Sequence, residues 1–143
     1  MSEKDFILNR VDCDQKDTLA FAVAMQKKAA EIGFDWPDIS GVIDKVQEEL
    51  DELSHEINNH SAKSLIQSEL GDLMFACCNL ARHLDINPEQ ALASCNQKFY
   101  RRFNYVETRV NAEGKRFSDY SLTELDSFWD QAKQLEKLDE IDS

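Results

Sequence analysis

The sequence predicts an all-α fold, an antiparallel bundle of about five helices. Three observations predict it. Apolar residues recur at helical spacing in five segments, no segment alternates convincingly as a strand, and the 143 residues include only 4 Gly and 2 Pro, too few for a turn-rich β architecture. Short breaker stretches between the segments imply antiparallel neighbours.

Residues 1–16 are polar and irregular and read as an N-terminal extension, with residues 17–143 forming a single domain. The first helix runs from about Thr18 to Ile32 and stops at Gly33, a natural residue just past a helix end. Pro37 then blocks helical continuation through GFDWPDIS. The second helix covers about Ile39 to Ile57 and breaks at Asn58-Asn59-His60-Ser61, and the third runs from about Ala62 to Leu84. Asn87 and Pro88 are an N-cap and first-turn pair that starts the fourth helix, which continues toward Ala112 with Gly114 as terminator. Ser121-Leu-Thr-Glu124 has the capping-box pattern and opens the last helix.

Composition excludes several functions. A net charge of −12 leaves no general basic surface for nucleic acid, although a small phosphorylated ligand carrying a divalent metal remains compatible. No apolar run reaches membrane-spanning length, and the start lacks the basic end and apolar run of a signal peptide. The expected location is cytoplasmic. Cys77 and Cys78 are adjacent and, with Cys13 and Cys95, make no CxxC spacing; they read as small core fillers.

The chemistry concentrates in three helices. In the second, Ile43, Val46, Leu50, Leu53 and Ile57 form an apolar stripe. Lys45, Glu49, Glu52 and Glu56 run beside it, with Glu48 further round. Such a face is often merely solvated. The third helix weighs against that reading, because Leu70 to Ala81 is apolar nearly all round and must be covered, yet Glu69 and Asp72 share one face within it. The helix dipole accounts for Glu69 and poorly for Asp72, which lies deeper.

Two acid pairs on antiparallel neighbours can converge. Like charges about 4 Å apart repel by roughly 4 kcal/mol per pair at an effective dielectric near 20, so either some are protonated or a cation sits among them. All-oxygen ligation suits Mg²⁺ or Mn²⁺, which commonly complete their shells with phosphate oxygens. The fourth helix carries Lys98, Arg102 and Arg109 beside its apolar stripe of Leu92, Cys95, Phe99, Phe103, Val106 and Val110. A cationic stripe suits the phosphate oxygens that a metal does not reach. Trp129 or Tyr105 could stack a base, although each is more often simply core. Glu52-Leu-Ser-His55 matches the Glu-x-x-His unit of di-iron bundles, but no second copy exists.

These residues resemble the MazG-type nucleoside triphosphate pyrophosphohydrolases of the all-α NTP pyrophosphatase superfamily. Their EExxE…ExxD signature is met by Glu48-Glu49-Leu-Asp-Glu52 and, after sixteen residues, Glu69-Leu-Gly-Asp72. GFDWPD, DKVQEELDEL, ELGDLMFACCNLARHL and NQKFYRRFNYVE are also similar to MazG segments, so the likeness extends from about residue 19 to about 136. It points most to the C-terminal domain of the tandem form, although only one domain is present.

The resemblance implies Mg²⁺ ligands at Glu49, Glu52, Glu69 and Asp72, with Glu48 or Glu49 helping to activate water. It implies triphosphate contacts at Lys45, Lys98 and Arg102, and a nucleotide neighbour at Trp129. It further implies hydrolysis of NTPs or dNTPs at the α–β bond and a bundle completed as a homodimer. A non-catalytic metal- and nucleotide-binding bundle, or a specialised dUTP or dCTP pyrophosphatase, are the alternatives.

Overall fold

The computed structural model describes residues 6–142 and divides after Ala91 into two compact units. Residues 1–5 of the expected N-terminal extension lie outside the described residues. A short 3-10 turn at Ile7–Arg10 opens the described chain and packs against the first helix. Five α-helices follow: α1 Thr18–Glu31, α2 Ile39–Asn58, α3 Lys63–His83, α4 Pro88–Ala112 and α5 Leu122–Asp142. No strand occurs among the described residues, as the sequence predicts.

Local chemistry sets the helix ends. Gly33 and Gly114 take positive φ of 92° and 66° just beyond α1 and α4, a region where only glycine escapes a side-chain penalty. His60 (φ 51°) closes the α2 end in the Asn-Asn-His break. Asn87 caps α4, its Oδ1 accepting from the Glu89 and Gln90 amides at 2.9 and 3.3 Å. Ser121 Oγ likewise accepts from the Glu124 amide at 3.1 Å. Asp38 caps α2 through the Ser40 amide at 2.9 Å, a cap the sequence reading leaves unnamed.

In the first unit α2 packs along α3 and α1 also rests on α3. Ala22, Val42, Leu53, Ala76 and Cys78 are its buried apolar residues, with Gln26 and Glu49 the buried polar ones. This corrects the predicted α2 stripe. The buried face runs through Val42, Glu49 and Leu53, while Ile43, Leu50 and Ile57 stand exposed. Glu49 is therefore inside the packed face rather than on its flank. Leu70, Met74 and Phe75 of α3 are also exposed. Of the two adjacent cysteines only Cys78 is buried, since neighbours on a helix point apart; Cys77 and Cys95 are exposed.

In the second unit Val106, Val110 and Phe128 form a core with Phe117, Tyr120, Leu125 and Trp129 against it. The α4 stripe is buried only at its C-terminal end. Leu92, Cys95, Phe99 and Phe103 remain exposed, a second departure from the predicted face.

Candidate metal and nucleotide site

The α2–α3 hairpin brings residues from both helices to one point. Its connection is only four residues, Asn59–Ala62, which returns α3 alongside α2. One carboxylate oxygen from each of Glu49, Glu69 and Asp72 lies within 4.8 Å of the others. Glu49 is buried, Glu69 partly buried and Asp72 exposed.

The bonding of these acids is incomplete. Glu49 Oε1 meets Lys45 Nζ at 3.0 Å, and Glu49 holds that ammonium above the usual lysine range. Glu49 Oε2 and Glu69 Oε2 are buried and have no protein partner. An unpaired buried carboxylate oxygen is costly, on the order of 1–3 kcal/mol or more. Two such oxygens in one acid cluster would be satisfied by a shared proton or by a cation. The donor set is all oxygen, which suits a hard divalent ion better than zinc.

Glu52 stands outside the group of three but is electrically part of it. The charge of Glu49 foremost, with that of Glu69 adding, pushes its carboxyl above the ordinary carboxylate range. Glu48 is exposed and lies 3.4 Å from Lys45 Nζ.

A cavity of about 790 Å³ opens beside the acids, with Lys45, Glu49 and Asp72 in its wall. Its lining also includes Gln26 of α1, Asn79 of α3 and Trp36 of the α1–α2 link. Sequence reasoning treats Trp36 only as part of a linker and passes over Gln26. The signal for Trp36 is Gly41: a Cβ there would come within 2.7 Å of Trp36 Cε3, so the bare glycine lets the indole lie on the start of α2. The link is clamped from the other side. Asp35 accepts from Arg82 at 2.6 and 3.1 Å and pairs with His83 Nε2 at 2.9 Å. These bonds, Arg82's foremost, lower the Asp35 carboxyl to about 2.

The other predicted contacts belong to the second unit. Arg102 donates to Glu136 Oε2 through Nε and Nη2 at 3.1 and 3.0 Å. Burial would raise Glu136, but the Arg102 bond and charge outweigh it and lower the carboxyl. The Arg102 guanidinium also lies 5.9 Å from the Trp129 ring, which packs on Phe99 at 5.4 Å. Arg109 donates to Gln131 at 2.8 Å and covers Phe128. Lys98 is exposed and forms no ion pair among the described residues.

Residues 39–107, which span both acid pairs, match the family model of the MazG nucleotide pyrophosphohydrolase domain. This stretch, just under half of the chain, is similar to that domain. A nucleoside triphosphate pyrophosphohydrolase of Escherichia coli K12 is 41% identical over 116 residues, covering 80% of this chain and 44% of the relative. A nucleoside triphosphate pyrophosphohydrolase/pyrophosphatase MazG of Thermotoga maritima is 36% identical over 115 residues, with the same coverage of each. The uncharacterized protein YabN of Bacillus subtilis is 43% identical over 72 residues, half of this chain and 15% of the relative. The chain thus spans less than half the length of these curated relatives. Among the described residues, no helix is long and apolar enough to cross a membrane.

Proposed function

We propose that this chain hydrolyses nucleoside triphosphates at the α–β phosphoanhydride, giving a nucleoside monophosphate and pyrophosphate, with Mg²⁺ as the metal. The observation that carries the reading is the pair of unpartnered buried oxygens, Glu49 Oε2 and Glu69 Oε2, set beside Asp72 at the edge of a nucleotide-sized cavity. The similar nucleoside triphosphate pyrophosphohydrolases suggest the reaction class.

Glu49, Glu69 and Asp72 would hold the ion, with Glu52 the fourth acid. A bound divalent ion neutralises charge on the polyphosphate and its leaving group. The chain's own residues do the rest. Lys45 fixes the Glu49 carboxylate through Oε1, leaving Oε2 for the cluster. Because a bound ion would take Glu49 Oε2 while Lys45 holds Oε1, the exposed Glu48 is the better proton acceptor for the attacking water. The water's oxygen joins phosphorus, its proton passes to Glu48, and the bridging oxygen leaves with the bond pair. Lys45, at the cavity wall, offers a positive charge to the triphosphate. The resemblance also nominates Lys98, Arg102 and Trp129. Replacing Lys98 by Ala should raise KM if it meets phosphate, and an unchanged KM removes it.

Pyrophosphate release from a panel of NTPs and dNTPs with Mg²⁺ tests the proposal. Asp72→Ala and Glu52→Ala should abolish release while far-UV circular dichroism keeps its helical form. Release from no nucleotide would favour the non-catalytic binding bundle, and undiminished turnover in either variant would refute the acid assignment.

A further inference from the structure

Gln26 is more than nine-tenths buried and sits in the cavity wall, yet only one end of its carboxamide is bonded. Nε2 donates to the Phe75 carbonyl at 3.0 Å. That carbonyl can only accept, so the amide cannot turn over and Oε1 must face the other way. Oε1 is buried and has no donor. A buried acceptor left unsatisfied is a standing cost unless something outside the chain supplies an N–H or O–H. Trp36, lining the same cavity, is pressed against Gly41 by the near-contact that excludes a Cβ there. An indole with one supported face is a stacking platform that any base can use.

Resting on the nucleotide reading above, we propose that this cavity takes the nucleobase, with Trp36 stacking on it and Gln26 Oε1 accepting from an exocyclic amino group. The chain then prefers 4-aminopyrimidine and 6-aminopurine bases, cytosine and adenine, over their oxo counterparts. An amino group projects beyond the ring edge and reaches a fixed acceptor. In the oxo bases a carbonyl oxygen stands at that position and would meet Gln26 Oε1 with like polarity. The ring imino N–H is recessed beside that carbonyl. Asn79, whose Oδ1 accepts from Arg82 Nε at 3.0 Å, has its amide nitrogen left to donate to a neighbouring ring nitrogen.

Matched pairs isolate this edge of the base. CTP against UTP, and ATP against ITP, exchange an amino group for a carbonyl and the ring nitrogen beside it for an N–H; the Gln26 variant separates the two changes. With Mg²⁺, kcat/KM should favour the amino member of each pair at least tenfold, chiefly through KM, because the base contact is made equally in ground and transition states. In Gln26→Met, which keeps the volume and removes the acceptor, the ratio should fall toward one through loss of the amino substrate. Equal rates within both pairs, or a bias toward UTP and ITP, would overturn the proposal while leaving the hydrolase reading intact. A bias that survives in Gln26→Met would overturn the assignment to Gln26. Should that variant fail to fold, the wild-type pairs still decide. Absence of any hydrolysis would instead overturn the reading of function, and this one with it.

Discussion

Asp72→Asn should make the metal-free protein more stable while removing most of its response to Mg²⁺. One oxygen of each of Glu49, Glu69 and Asp72 lies within 4.8 Å of the others. At that spacing, two unit charges repel by roughly 3 kcal/mol at an effective dielectric near 20. Asparagine removes two of the three repelling pairs. Asp72 is exposed, so solvent screening reduces the relief to a total of about 1–2 kcal/mol. For a chain of this size that is a rise in Tm of roughly 3–6 °C. Wild type should gain about 1.4 kcal/mol when Mg²⁺ is ten times its Kd, and the variant much less. Thermal unfolding followed by circular dichroism, with EDTA and then with Mg²⁺, reads both effects. A variant less stable than wild type in EDTA, with an undiminished Mg²⁺ shift, would refute the idea that these acids repel one another until a cation joins them.

Other perturbations probe the frame around that cluster. Asp35→Asn should cost about 1–2 kcal/mol at neutral pH by unpairing Arg82 and His83. Because the folded Asp35 carboxyl is lowered to about 2, its contribution is complete above the unfolded value near 4 and fades as pH falls toward 2. Urea unfolding of both proteins from pH 6 to pH 2.5 should show the gap closing, and a constant gap would exclude the ion pair as its source. Gly41→Ala should displace Trp36, cost about 1–3 kcal/mol by overpacking and raise KM for nucleotide more than it lowers kcat; unchanged stability and KM would mean the indole has room to move. The exposed Ile43, Leu50 and Ile57 of α2 and Leu70, Met74 and Phe75 of α3 support the proposed homodimer. Light scattering should return twice the 16.5 kDa chain mass, and Leu50→Glu should halve it. A monomeric wild type would refute the pairing.

The fold was largely legible because helix punctuation is local. Asn87-Pro88, Ser121-x-x-Glu124, Gly33 and Gly114 each carry their own capping or terminating geometry, and the observed α4 bounds coincide with those read from them. Of the four acids expected to converge, Glu49, Glu69 and Asp72 lie together and Glu52 stands outside the group; i,i+3 spacing on two helices joined by a short break leaves few ways for the acids to lie, but does not fix which of them reach the common point. Burial was less legible. The apolar stripe of α2 pointed to Ile43 and Leu50, but packing on α3 turns Val42 and Glu49 inward, and a single helix's pattern does not reveal which part of an apolar arc its neighbour will cover. Gln26 and Trp36 were illegible as site residues, because their meaning is tertiary. Gln26 meets its partner carbonyl 49 residues away, and Trp36 is held through the missing side chain of Gly41.

Phosphorus NMR of the full chain turning over CTP with Mg²⁺ tests the proposed chemistry most directly, since the products identify the bond broken. One CMP and one pyrophosphate for each CTP consumed, with turnover lost in Glu49→Gln, is the predicted result. CDP and orthophosphate as products, or equal turnover in Glu49→Gln, would contradict it.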